Sequence, residues 1–223
     1  MTRVGEVEAL TFDCYGTLID WYGGVREAAR ASPSLVGLEL GRFVRDRDAE
    51  DRVLIQGPYR PYAEVLALSA QRAAAAQGRV LPEAEARAFA ASQGAWPPFD
   101  ESRAALARLG RRFRLAILSN VDTAILARSV ELLGGPFEFT LTAQELGSYK
   151  PRPAHWEAAL TRLGLPPSRV LHVGCSLFHD MRPAAARGIP TAFVNRDGEP
   201  LAPGDAPTLV LSDLASLCDV LGV

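Results

Sequence analysis

Cysteine is scarce. Cys14, Cys175 and Cys218 make an odd, scattered set without CxxC spacing. That argues against a disulfide framework or a cysteine zinc site and makes a reducing cytoplasm the default compartment. Long apolar runs are missing too, and none approaches the ~18–20 residues that a membrane span requires. Neither charge dominates: Lys and Arg number 24 and Asp and Glu 26, for a formal net charge of −2, with no basic stripe. Nucleic acid and anionic membranes are therefore not expected partners. The opening residues MTRVGEVEALTF carry acids and run straight into a strand-like segment, which does not read as a secretory leader.

The sharpest shortage is of lysine. Of the 24 basic residues, 23 are arginine and Lys150 is the single lysine. The chain uses arginine wherever either cation would serve. Lys150 is thus either a chance surface residue or a site where a compact ammonium is required and a planar guanidinium would not do.

What is present is an ordinary globular balance: 223 residues, 48% hydrophobic and 22% charged, enough for a full core and a small second unit. Strand-like segments recur at 7–12, 113–119, 137–143, 169–174, 190–195 and 207–212. Most are rich in Val, Leu, Phe and Ala, as strands buried on both faces of a parallel sheet should be. Helical patterns lie between them at 100–111 (with Asp100 as cap), 122–133, 153–164 (from Pro153 to Gly164) and 180–187. Alternation of this kind predicts an α/β fold with a doubly wound, Rossmann-like parallel sheet. Residues 20–92 break the rhythm, with helical patterns at 40–56, 59–77 and 82–92 and no convincing strand. The expected organisation is a core of residues 1–19 and 93–223 with a helical cap of residues 20–92. An insertion directly after the first strand would lie over the carboxyl ends of the strands, where such sheets bind ligands.

Four strand ends carry candidate chemistry. Asp13, where the first strand stops, is either a nucleophile that forms an ester or acyl phosphate, or a turn-initiating aspartate. Gly16 and Thr17 just after it suit a loop that wraps an anionic group. Ser119 and Asn120, with Asp122 opening the next helix, supply donors for an anion or simply cap that helix. Lys150, in GSYKPRP and stiffened by Pro151 and Pro153, either keeps a neighbouring aspartate ionised or lies solvated in its loop. In HVGCSLFHD, Asp180 has three open roles: binding a cation, holding Lys150 or orienting water. It could equally cap the helix at 180–187. Cys175 reads as a small buried residue. His172 and His179 lack metal-ligand spacing and read as structural.

Taken together, these residues resemble the motifs of the haloacid dehalogenase superfamily. FDCYGTL (12–18) is similar to the first motif, LSN (118–120) to the second, YKP (149–151) to the third and GCSLFHD (174–180) to the fourth. The resemblance covers essentially the whole core and implies a helical cap. Most members are magnesium-dependent phosphohydrolases with Asp-x-Asp in the first motif and two acids in the fourth. Here Tyr15 stands in place of the second aspartate and Cys175 in place of a metal-site acid. Magnesium would keep only Asp13, Asp180 and a backbone carbonyl, fewer oxygen ligands than a hard cation prefers.

FDxYGTL with tyrosine looks like the metal-independent 2-haloacid dehalogenases. Halide is a feeble base, so its departure needs no proton donor, whereas an alkoxide needs one. The resemblance implies an ester on Asp13 and no cofactor. Thr17, Ser119 and Asn120 would orient Asp13 and the substrate, while Lys150 and Asp180 poise nucleophile and water. Tyr15 and Arg45 would line the pocket, where Arg45 (with Arg47 as runner-up, both in RFVRDRDAEDR) grips the substrate carboxylate. Both arginines also suit a solvated salt-bridged face. VNRDG (194–198) adds to the likeness. Cys175 and Leu177 depart from it, standing where dehalogenases of this type carry a serine and an asparagine that position water. Ser176 is the available substitute. The expected partner is a small anionic molecule, and a homodimer is left open. Two other readings stay open: a magnesium phosphatase lacking the usual acid, with Asp13 and Asp180 on the metal, and a non-catalytic small-anion binder.

Overall fold

The apolar stretch ahead of Asp13 becomes β1 (Ala9–Phe12), and all of its residues are buried. Burial of both strand faces is the mark of a parallel sheet covered by helices on either side. A computed structural model of the chain describes residues 6–223, so the first five residues of the N-terminal segment lie outside the described residues. The other strands are β2 (Arg114–Ser119), β3 (Phe137–Thr142), β4 (Val170–Gly174), β5 (Thr191–Val194) and β6 (Leu209–Leu211). Each falls within a segment that its sequence pattern marks as a strand. They form one sheet in the order β3-β2-β1-β4-β5-β6, and every pairing is parallel.

Strand order fixes where a ligand can sit. From β1 the chain winds outward to β2 and β3 on one side, then returns to place β4 beside β1 on the other. The switch point therefore lies between β1 and β4, and a crevice opens beyond their carboxyl ends. Phe12 pairs with Ile117 on β2 and with Val173 on β4. Asp13, one residue on, is thereby held at the floor of that crevice. Leu10 and Phe12 point into the larger apolar cluster, and Ala9 into the smaller one around Trp156, Leu118 and Leu141.

Four helices follow β1 directly: α1 (Trp21–Arg30), α2 (Leu40–Gln56), α3 (Tyr62–Ala75) and α4 (Glu83–Ser92). The last three match the helical patterns of the sequence. The first does not follow an alanine-rich pattern, and it starts where the Asp20 carboxylate accepts from the Gly23 amide at 2.9 Å. Helix α5 (Ser102–Leu109) completes the connection to β2, and beyond β2 come α6 (Thr123–Leu133), α7 (Ala143–Leu146) and α8 (Ala154–Leu163). After β4 follow α9 (Arg182–Ala185) and α10 (Leu214–Leu221). Two local expectations change. Helix α5 starts two residues past Asp100, with Glu101 at its cap position and no side-chain cap. The helix expected at 180–187 begins instead as a π-turn, Leu177–Met181, capped by Ser176 and leading into α9.

Three contacts tie the helical connection to the loops at the carboxyl ends of the strands. Tyr149 donates its hydroxyl to the Arg60 carbonyl at 2.7 Å, and Arg152 donates to the carbonyls of Gln56 and Gly57. The third involves Asp122. Helix α3 has Pro61 at its cap position and no cap of its own. Asp122, at the start of α6, supplies one: Oδ1 accepts from the Tyr62 amide and Oδ2 from the Ala63 amide, each at 2.8 Å. A carboxylate at a helix N-terminus also meets the positive end of the helix dipole.

Replacing Asp122 by alanine is expected to lower the unfolding free energy by about 1–2 kcal/mol, the value of a lost helix cap. Asp122→Asn, which keeps one acceptor, is expected to lose less. Urea denaturation measures both, and an unchanged midpoint in the alanine variant would refute the assignment.

Candidate active site

Asp13 leaves β1 with its amide bonded to the Val173 carbonyl of β4, so its backbone is an extension of the sheet. Both carboxylate oxygens are engaged. Oδ2 accepts from the Thr17 hydroxyl at 2.8 Å, and Oδ1 accepts from the Lys150 ammonium at 2.9 Å. Lys150 is 1% exposed and donates also to Asp180 Oδ1 at 2.6 Å. The single lysine of the chain is thus a buried cation shared by two carboxylates, with no solvated loop role. A compact ammonium can point separate N–H groups at two acceptors from different strand ends, whereas a planar guanidinium fixes its donors in one fork.

The electrostatics follow from this geometry. Burial favours neutral Lys150, but the adjoining carboxylates of Asp13 and Asp180 outweigh it and push the ammonium above its ordinary value. Burial likewise works to raise Asp180, yet Lys150 and then His172 hold its carboxyl well below the usual range. Buried without partners, either charge would be prohibitively costly; together they are mutually satisfied.

Two glycines permit the close packing. Gly16 has φ +91°, a left-handed conformation, and a Cβ there would lie 2.7 Å from Cys175 Sγ. A Cβ on Gly174 would lie 2.8 Å from Asp180 Cγ. Cys175 therefore sits against the loop that follows Asp13, its thiol 3.8 Å from Asp13 Oδ2. Burial raises that thiol, and the Asp13 carboxylate adds to the effect, so it stays protonated.

The remaining residues of the sequence constellation divide. Ser119 is buried at the end of β2 and lines the cavity. Asn120 works on the backbone: its amide donates to the Lys150 carbonyl at 3.0 Å and accepts from the Lys150 amide at 2.6 Å. It holds the lysine loop in place. Ser176 is committed to the π-turn, accepting from the His179 amide at 3.0 Å, although it also borders the cavity. Asp180 is not a helix cap. Tyr15 hydrogen-bonds with the Ser129 hydroxyl at 2.7 Å and meets the Trp96 ring edge-on, while burial pushes its phenol well above the ordinary value.

Above these residues lies a cavity of about 630 Å³ between the strand ends and helices α1 to α3. The structure separates the two candidate arginines. Arg45 lies at its edge with a side chain 71% exposed, 3.6 Å from Glu39. Arg47 is buried, donates to Asp51 at 2.6 Å, and carries an Nε with no hydrogen-bond partner among the described residues. Its guanidinium lies 5.3 Å from the centre of the Trp21 ring, and Tyr62 donates to Asp51 beside it. Burial lifts the Asp51 carboxyl above its usual range in spite of the Arg47 charge. The spacing from Asp13 singled out Arg45. The helix turn buries Arg47 instead and carries Arg45 to the rim.

His172 also departs from its expected role. It accompanies Asp180 rather than acting only as core filling, with Nε2 3.3 Å from Asp180 Oδ1. No pattern in the sequence marked it, apart from a polar ring in the otherwise apolar strand Val170–Gly174.

The donor set fits magnesium poorly. Both oxygens of Asp13 and one of Asp180 already accept from neighbouring side chains, and the third adjacent group is a protonated thiol. Hard cations want several free oxygen ligands. Among the described residues no group of three or more His, Cys, Asp or Glu side chains is arranged to hold a metal ion.

Comparison with known proteins places these residues in context. The family model for haloacid dehalogenase-like hydrolases matches residues 7–188. Haloacetate dehalogenase H-2 of Moraxella sp. (strain B) is 29% identical over 198 residues, 86% of this chain and 88% of that protein. Phosphoserine phosphatase of Thermus thermophilus is 31% identical over 163 residues, 71% of this chain and 63% of that protein. The crystal structure of the L-2-haloacid dehalogenase RSc1362 superposes with a TM-score of 0.87 at 25% identity, covering 97% of this chain and 99% of that one.

The buried triad predicts a signed pH response. Asp180, depressed in the fold, stabilises the protein above the ordinary carboxylate range, about pH 4, and that contribution fades as pH falls. Lys150, raised in the fold, contributes below about pH 10 and loses it as pH rises further. The native triad is therefore flat between about pH 5 and 9. In Lys150→Met two buried carboxylates face each other without a cation, and one is raised above its unfolded value. That variant is expected to gain stability from about pH 8 to pH 5.5, where the native protein does not. Thermal unfolding at both pH values checks this; parallel behaviour of the two proteins would count against it.

Proposed function

The chain belongs to the haloacid dehalogenase-like hydrolases, and from that premise we propose that it hydrolyses a 2-haloacid to a 2-hydroxy acid through an ester on Asp13. One observation carries the choice. The position two residues past the nucleophile, where an acid would protonate an alkoxide, holds a phenol bound to Ser129 and pushed far from release of its proton. A reaction whose leaving group needs no proton suits such a site. The names of similar proteins, a haloacetate dehalogenase and an L-2-haloacid dehalogenase, support the same substrate class.

The step order follows from the charges. An Asp13 oxygen attacks the carbon bearing the halogen, a C–O bond forms, and halide leaves with the C–X electron pair. Water then adds to the ester carbonyl of Asp13. Asp180 receives its proton and passes it to the departing 2-hydroxy acid oxygen. Collapse regenerates the Asp13 carboxylate and releases the second proton to solvent. Lys150 donates to Asp13 in the first half and stays beside Asp180 for the second. No metal takes part in this reading. Residues 20–92 serve as a cap over a core of 1–19 and 93–223. Arg47 receives the substrate carboxylate under that cap, with its unpartnered Nε available, while Arg45 guards the mouth.

The phosphoserine phosphatase likeness favours a second reading, metal-dependent phosphate release. The poor donor set for magnesium weighs against it.

Halide release from 2-chloro, 2-bromo and 2-fluoro acids decides between them. Turnover is expected with chelator present, and Asp13→Asn is expected to lose roughly 10³-fold or more. Arg47→Leu is expected to raise KM about 10-fold or more, with Arg45→Leu far milder. Chelator-sensitive phosphate release without any halide would overturn the proposal. Ligand stabilisation without turnover, unchanged in Asp13→Asn, would point to a non-catalytic binder.

A further inference from the structure

His172 projects from β4 into the smaller apolar cluster, where its ring meets the Trp156 edge at 5.7 Å between centroids. It is fully buried in a strand whose other side chains are Val and Leu. A polar ring in such a place is costly unless both nitrogens are satisfied. Both have partners: Nδ1 lies 2.9 Å from the Thr11 hydroxyl of β1, and Nε2 lies 3.3 Å from Asp180 Oδ1. A carboxylate only accepts, so Nε2 carries a proton, and in the neutral ring the Thr11 hydroxyl then donates to Nδ1.

Lys150 reaches that same oxygen, Asp180 Oδ1, at 2.6 Å. A carboxylate rotates readily about its terminal torsion, and one flexible lysine would leave it free to swing. A second donor, built into a central strand and braced by Thr11, fixes its plane. Among the described residues both side-chain donors to Asp180 reach Oδ1 and none reaches Oδ2, and Asp180 lines the cavity. Gly174 leaves room beside it, since a Cβ there would lie 2.9 Å from Oδ2. The neighbouring groups cannot take over: the Cys175 thiol is held protonated, and Ser176 caps the π-turn.

We propose that His172 is a positioning residue for the hydrolytic half-reaction, clamping Asp180 Oδ1 jointly with Lys150 so that Oδ2 is left as the seat for the attacking water. This rests on the ester mechanism proposed above. It assigns His172 no part in carbon–halogen cleavage, because its ring nitrogens face Thr11 and Asp180 and it does not line the cavity.

Rapid-quench halide release separates the halves. In His172→Leu the first, stoichiometric halide is expected at the native rate, while steady-state release falls about 10–100-fold and an ester adduct on the Asp13 peptide accumulates by mass spectrometry. His172→Gln, which keeps a donor at similar reach, is expected to restore most of the steady-state rate. Thr11→Val, nearly isosteric, is expected to show a milder form of the same split. Equal slowing of both phases, or no change in either, across the Leu and Thr11→Val variants overturns the proposal. Nitrogen-15 NMR of the resting protein adds a readout independent of turnover. With only three histidines, the His172 ring is identified by its loss in His172→Leu, and an Nδ1–H tautomer there overturns the clamp. A native protein that releases no halide from any haloacid overturns the ester mechanism alone, and the tautomer then still decides whether the clamp exists.

Discussion

One ammonium organises this molecule. Lys150 is buried between Asp13 at the end of β1 and Asp180 beyond β4, and each of the three charges is tolerable only because the other two are present. The arrangement partners each charge inside the protein, where an isolated buried charge would be disfavoured. It also ties together three segments far apart in sequence. The loop carrying Lys150 is itself pinned through backbone bonds to Asn120 at the end of β2, so the position of the charge is set by the sheet.

The sheet supplies that precision because its parallel order puts the ends of β1, β2 and β4 side by side. Asp13, Ser119 and Gly174 each terminate or follow a strand whose register is fixed by buried neighbours. Sites mounted on rigid strands hold their geometry better than sites on free loops. The helices between β1 and β2 add the upper wall, with Arg47, Asp51 and Tyr62 as a linked polar group facing the strand ends. Asp122 joins the two layers, since one carboxylate at the start of α6 caps α3, the helix that carries Tyr62.

Much of this was legible in the chain. Apolar runs and periods mark the strands and most helices. Strands β1, β2, β4 and β5 are buried along nearly their whole length and so are largely apolar, while the edge strands β3 and β6 are partly exposed. Helix α1 escaped notice because its pattern is interrupted by two glycines and lacks the alanine-rich signal of its neighbours. The π-turn at Leu177–Met181 was invisible for another reason: its start is set by the Ser176 hydroxyl and by Asp180 turning toward Lys150, a long-range demand. Arg45 and Arg47 lie two residues apart on one helix, and spacing along the chain cannot say which faces inward without knowing how that helix is rotated.

The sequence by itself determined the kinds of chemistry available. A lone lysine among arginines, an aspartate at a strand end, a tyrosine where a second acid could stand, and a cysteine in the last motif are properties of residue types, and residue type limits what a site can do. Tertiary structure alone decided the partnerships. That Lys150 serves two carboxylates, that Asn120 grips backbone, that Arg47 rather than Arg45 is enclosed, and that His172 meets Asp180 depend on contacts between residues separated by up to 137 positions for Lys150 and Asp13. Such contacts arise from how the strands are ordered and the helices rotated, and no local pattern encodes them.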